Sequence, residues 1–136
     1  MKNYYYKWYP TQNQNLIKMM RNNKITLDSI YYENDFLTVA FYISANLFCE
    51  VVFEEGLTPY QVFPKKYFDK IDKNMLEDSS WNFFVLNKSD KLDWYYKNAK
   101  MFWDNFTAKH YAMLIGESFI EVLAMKTPIL KINKKC

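Results

Sequence analysis

His110 is the only histidine in this chain of 136 residues, so any site that needs an imidazole must use it. Further along, Glu121 interrupts an otherwise apolar segment. A buried carboxylate requires a partner, and a histidine beside it could transfer protons or form a pH-sensitive pair. A structural hydrogen bond or an outward-facing polar pair are the alternatives, and the sequence shows no nucleophile or third group that would complete a catalytic site.

The segments around these two residues predict that they lie together. Apolar runs at 111–115 and 118–123 flank Gly116-Glu117. Glycine at the first loop position is typical of a two-residue type II′ turn. Pairing the two runs directly across this turn makes His110 and Glu121 diagonal neighbours on one face of the sheet.

The sequence lacks the residues that other kinds of catalytic or cofactor site require. A single histidine excludes a His-rich metal site built from one chain. Cys49 lies in an apolar strand pattern, where a structural thiol is expected rather than a reactive one. The two glycines, Gly56 and Gly116, are too far apart for a phosphate-binding loop. We therefore expect no catalytic residues, no metal site and no cofactor.

The elements that position His110 and Glu121 follow from the apolar patterns of the rest of the chain. Alternating patterns predict strands at 4–8, 25–32, 36–43, 47–53, 81–86 and the hairpin at 111–123. Helical spacing predicts a short helix ending near residue 23 and a longer one over 91–105, with Asp90 as its N-cap.

These elements predict the α+β fold class, with an antiparallel sheet of about six or seven strands and two or three helices packed on it. We expect residues 1–136 to form a single domain. Lysines are frequent at the end of the sequence, and residues 131–136 are therefore predicted to be a flexible basic tail.

Aromatic residues make up 20% of the chain, and core packing must account for most of them. Two segments nevertheless hold more aromatic side chains than one face of an element can bury. We predict that these segments contact a protein partner, since Tyr and Trp are enriched in interface cores. The residues concerned are Tyr4, Tyr5, Tyr6, Trp8, Trp94, Tyr95 and Tyr96. Stacking on nucleotide bases or sugars is the alternative.

Charge and hydropathy narrow the choice of partners. The net charge is +3, and Arg21 is the only arginine, which makes nucleic acid an unlikely partner. No apolar run approaches the roughly 18 residues of a membrane span, and the first residues lack the apolar stretch of a signal peptide. We expect a cytoplasmic protein. Unpaired strand edges and surplus aromatic residues would also allow a homodimer.

Residues 82–130 resemble a pattern found in small bacterial proteins of the immunity type, some of them encoded beside toxins. The resemblance is carried by NKSDKLDW at 87–94, KHYA at 109–112, IEVLA at 120–124 and Pro128. It implies a cytoplasmic binding protein and assigns no catalytic residues. A net charge of +3 departs from the acidic character of inhibitors of basic nucleases. The implied target is therefore not a nuclease, or has an acidic face.

The sequence as a whole predicts a non-enzymatic, cytoplasmic protein-binding protein of bacterial or phage origin. Its role would be in immunity, anti-defence or regulation, and it would act through an aromatic-rich surface. The alternative is a binding domain for a small ligand or single-stranded nucleic acid with an aromatic cleft. A hydrolase that uses His110 and Glu121 is a third hypothesis.

Overall fold

The structure, a computed structural model, describes residues 3–54, 59–103 and 108–134, without the side chains of 99–103 and 134. The apolar spacing of the predicted helix over 91–105 places Phe102, Trp103 and Phe106 on or next to its apolar stripe, and these side chains lie outside the described part of the chain. The elements in chain order are β1 (Tyr6–Lys7), α1 (Gln14–Asn22), β2 (Thr26–Glu33), β3 (Phe36–Ser44), β4 (Leu47–Phe53), β5 (Tyr60–Pro64), α2 (Lys65–Asp69), β6 (Phe83–Leu86), α3 (Asp90–Trp103), β7 (Lys109–Ile115), β8 (Ser118–Ala124) and β9 (Ile129–Lys134). A single 3-10 turn at Lys73–Met75 lies between α2 and β6.

The described strands form two antiparallel sheets. A five-stranded sheet has the order β1-β6-β7-β8-β5, and a four-stranded sheet has the order β2-β3-β4-β9. The predicted α+β class and antiparallel pairing are confirmed. The prediction of one sheet with six or seven strands is wrong, because the β2–β4 meander makes no ladder with the β7–β8 hairpin.

The two sheets pack face to face through aromatic side chains. The rings of Phe41 in β3 and Phe83 in β6 lie 5.9 Å apart. The rings of Phe53 in β4 and Tyr111 in β7 lie 5.6 Å apart in an edge-on arrangement. These contacts join the buried apolar residues of both sheets into one core, which accounts for part of the aromatic content of the chain.

Helices cover the other face of the five-stranded sheet. Phe68 of α2 packs on Phe119 of β8, with ring centroids 5.4 Å apart, and on Phe84 of β6 at 5.9 Å. Leu92 of α3 is buried against Leu123 of β8. The outer face of the hairpin is therefore enclosed by the helix layer, which determines the surroundings of any polar residue on that face.

The predicted flexible tail is wrong for residues 131–134. They belong to β9, which pairs with β4 so that Lys131 lies opposite Glu50. Leu130 packs against the core, while lysines on an edge strand discourage pairing with another chain. Lys131 and Lys134 therefore belong to an edge strand and not to a flexible tail. Residues 135–136 lie outside the described part of the chain.

Cys49 has the properties of a structural thiol. Its side chain is fully buried in β4, and burial raises the pKa of the thiol to about 11. In a Cys136→Ser variant, we expect the native protein to react with a thiol reagent on the order of 100-fold more slowly than the urea-unfolded protein. Absorbance of the released chromophore measures both rates. Equal rates in the two states would show that Cys49 is accessible.

Candidate functional site

The β7–β8 hairpin has the predicted register. Ile115 pairs with Ser118 across the turn, and His110 pairs with Leu123. Gly116 has a φ of 61°, the left-handed conformation that the first loop position of a type II′ turn requires. The turn therefore determines which residues of the two strands share a face.

His110 and Glu121 are in contact on the face that the helices cover. The imidazole Nε2 bonds to the Glu121 Oε2 atom. Both residues are buried, with 2% of His110 and 8% of Glu121 exposed. The outward-facing alternative is therefore wrong, and the pair lies in the interior of the fold.

Ser89 supplies a third group that the sequence analysis missed. Its hydroxyl oxygen lies 2.9 Å from His110 Nδ1 and accepts a hydrogen bond from the Leu92 amide at 3.1 Å. Ser89 therefore caps α3, and the prediction of Asp90 as the N-cap is wrong. Serine is among the preferred N-cap residues, so its position just before Asp90 was the available signal.

The three groups form a continuous hydroxyl–imidazole–carboxylate chain. A neutral His110 that donates from Nε2 to Glu121 accepts the Ser89 hydroxyl proton at Nδ1, whereas a protonated His110 donates from both nitrogens. Within the described residues, no buried side-chain nitrogen or oxygen lacks a hydrogen-bond partner. A satisfied buried network of this kind fixes the relative position of the elements it joins, here α3 and the hairpin.

Lys91 binds the second oxygen of Glu121. Its Nζ lies 3.0 Å from Glu121 Oε1, also donates to Gln61 Oε1, and lies 4.5 Å from the centroid of the Phe63 ring. Burial alone would raise the pKa of the Glu121 carboxyl, but hydrogen bonds and charge from His110 and Lys91 outweigh it and lower that pKa. The carboxylate is thus held ionised by partners on both sides.

The pKa of Glu121 implies a loss of stability in acid. A carboxyl whose folded-state pKa is below its unfolded value stabilises the fold fully above the unfolded pKa, about 4.5. The contribution is lost as the pH falls through the folded-state pKa. We expect the gap in unfolding free energy between wild type and Glu121→Gln to shrink from about pH 7 to about pH 3. Urea denaturation at several pH values measures this gap. A gap that stays constant with pH would contradict a lowered pKa of Glu121 in the folded protein.

A cavity of about 430 Å³ opens between the start of α3, β5 and β8. Its wall includes Gln61 from β5, Asp90, Lys91 and Trp94 from α3, and Glu121 and Leu123 from β8. The volume is within the range of small-molecule sites, which runs from about 300 to 1,000 Å³. The Glu121 carboxyl therefore joins the buried network to a surface-accessible cavity.

Trp94 is the most exposed of the predicted contact residues. It is 62% exposed, and Tyr6 follows at 45%. Trp94 lines the cavity beside β5, whereas Tyr6 belongs to β1 at the opposite edge of the same sheet. The two most exposed members of the predicted surface are therefore separated by the width of the sheet.

The other predicted contact residues are partly buried in the fold. The Trp8 ring packs edge-on against Tyr111 at 5.2 Å, and Tyr4 packs against Tyr6 at 4.7 Å. Burial and the charge of Glu121 raise the pKa of Tyr5 to about 12. Tyr95 and Tyr96 pack against the small apolar cluster under α3. These residues contribute mainly to internal packing.

Neither a metal site nor a membrane-spanning helix is found in residues 3–54, 59–103 and 108–134. No group of three or more His, Cys, Asp or Glu side chains there is arranged to hold a metal ion. No helix within these ranges has the length and apolar character needed to cross a membrane.

Comparisons with known proteins add no family to this description. No protein-family model, no curated protein and no solved structure matches the chain.

Proposed function

We propose that this protein binds a small molecule in the cavity between α3, β5 and β8. The observation that carries the proposal is the Glu121 carboxylate, which lies in the cavity wall with both oxygens held by His110 and Lys91. A buried carboxylate costs free energy unless it is paired. Ionisable groups fixed in this way beside a cavity are typical of binding sites.

Trp94 supports a binding role for the same cavity. Its indole is largely exposed on the first turns of α3, where it offers a flat apolar surface for a ligand. Leu123 adds a second apolar wall from β8. The cavity thus combines a few polar side chains, among them Glu121, with apolar surfaces, which is the usual composition of a ligand site.

A catalytic role for the Ser89–His110–Glu121 chain is disfavoured. Ser89 is only 1% exposed and His110 only 2%, so a substrate has no access to either. The Ser89 oxygen is also occupied by the Leu92 amide. We therefore assign the chain a structural role, which is to anchor the start of α3 and orient Glu121, and we propose a non-enzymatic protein.

Binding to another protein is the second candidate. The side chains of Tyr32, Tyr60 and Val62 are exposed where the edge strands β2 and β5 come together, and the rings of Tyr32 and Tyr60 are 5.9 Å apart. Exposed aromatic residues beside open strand edges favour a protein partner or a homodimer. A cytoplasmic immunity, anti-defence or regulatory role belongs to this candidate.

Ligand-observed NMR with a library of small aromatic and aliphatic molecules tests the first proposal. We expect binders whose signals are lost when Trp94→Ala replaces the wild type. Tyr6→Ala is the matched control, because it removes another exposed aromatic side chain at the far edge of the sheet. Binders unaffected by Trp94→Ala, or a library without binders, would refute the proposal.

A further inference from the structure

We infer that the ligand of the α3–β5–β8 cavity is an uncharged molecule with an apolar body and a hydrogen-bond acceptor, such as a carbonyl oxygen. The inference rests on the proposed function, because it names the ligand class of the same cavity. Its basis is the pairing of the charged side chains in the cavity wall with one another, together with an amide donor of Gln61 in the same wall.

The charged side chains of the cavity wall already have partners within the protein. Glu121 binds His110 through Oε2 and Lys91 through Oε1, so both of its oxygens are occupied. The Lys91 ammonium group contacts the Glu121 carboxylate at 3.0 Å and also the side-chain oxygen of Gln61. Asp90 likewise interacts within the protein and is not free. A charged ligand would therefore give up its water without gaining a free counter-ion, which is unfavourable.

Gln61 provides a hydrogen-bond donor in the cavity wall. It pairs with Glu121 between β5 and β8, so the two side chains lie on the same face of the sheet. The Lys91 ammonium group can only donate, so its contact with Gln61 determines that Oε1, and not Nε2, is the amide atom facing Lys91. The Nε2 group has two N–H donors and no acceptor among the described residues. A ligand with an acceptor oxygen could therefore bind this group without displacing a contact within the protein.

The rest of the wall is apolar or aromatic. It consists of Pro59, Tyr60, Trp94 and Leu123. The Trp94 indole is largely exposed to solvent, so a ligand that covers it removes apolar surface from water. Burial of the apolar body against these side chains would supply most of the binding free energy, and the Gln61 amide would orient the ligand.

Probes that share a phenylpropyl skeleton and differ in charge test the inference. NMR titrations near pH 7 would compare an uncharged ketone, 4-phenyl-2-butanone, with 3-phenylpropionate and 3-phenylpropylammonium. We expect the ketone to bind at least about tenfold more tightly than either ion, because neither ion finds a free counter-charge in the wall.

Replacement of Gln61 separates the hydrogen bond from the apolar contacts. Gln61→Met keeps a side chain of similar length and removes its N–H donors. This change should weaken binding of the ketone about fivefold and leave binding of propylbenzene, which has no acceptor, unchanged. Gln12→Met is the matched control, because Gln12 is also exposed but lies outside this cavity wall.

The outcomes separate this inference from the proposed function. Equal or tighter binding of either ion, or no effect of Gln61→Met on the ketone, would overturn the inference while the cavity remained a binding site. Library binders that depend on Trp94 but are mostly ions would have the same consequence. If neither the probes nor the library bind, both the inference and the proposed function are wrong.

Discussion

Replacement of Trp81 by alanine is expected to lower the free energy of unfolding by about 3–5 kcal/mol. Trp81 is 1% exposed, and its ring packs against Phe83 at 5.6 Å and Tyr9 at 5.5 Å. Its indole N–H donates to the Trp8 carbonyl at 2.8 Å. Truncation would therefore leave a cavity in the core and remove the hydrogen bond to the Trp8 carbonyl, which is partly buried.

Urea denaturation monitored by circular dichroism measures this loss. Trp94→Ala is the matched control, because the same residue type is largely exposed there. That change should alter stability by no more than about 0.5 kcal/mol. If Trp81→Ala does not fold, Trp81→Phe still tests the burial of Trp81 through a smaller loss of stability. Equal effects of the Trp81 and Trp94 replacements would contradict the placement of Trp81 in the core.

His110→Ala is the second replacement with a large expected effect, about 3 kcal/mol or more. It removes the buried partner of Glu121 Oε2 and the group that contacts the Ser89 hydroxyl. The carboxylate would keep only Lys91, whose side chain is 32% exposed. A buried charge that loses its partner destabilises a protein far more than an exposed pair does.

Two further variants distinguish the free-energy cost of an unpaired Glu121 carboxylate from the cost of losing the volume of the His110 side chain. Lys91→Ala removes the partly exposed partner of Glu121 and should cost about 1 kcal/mol or less. The double replacement of His110 and Glu121 by leucine removes the whole charged pair and should recover much of the stability lost in His110→Ala. A loss below about 1 kcal/mol in His110→Ala would show that the network contributes little.

The local parts of this fold could be predicted from the sequence. The β7–β8 register follows from a two-residue turn with glycine at its first position, and it places His110 and Glu121 on one face. Alternating apolar residues likewise locate β3 and β4. These features depend on neighbours in the chain, so a local pattern is sufficient to specify them.

The non-local parts could not be predicted in the same way. β5 pairs with β8 across a long sequence separation, and Pro59 and Pro64 at its ends suggest irregular structure. Ser89 and Lys91 reach the hairpin only because α3 packs over it. No pattern within the helix specifies which strand it will cover, so half of the polar network was not apparent from the sequence.

The most direct test of ligand binding at the cavity is ¹⁹F NMR of protein labelled with 5-fluorotryptophan. The chain contains four tryptophans, and single Trp→Phe variants assign their signals. On addition of the tightest library binder, we expect the Trp94 signal to shift while those of Trp8 and Trp81 stay unchanged. An unchanged Trp94 signal at saturating ligand would contradict binding in the α3–β5–β8 cavity.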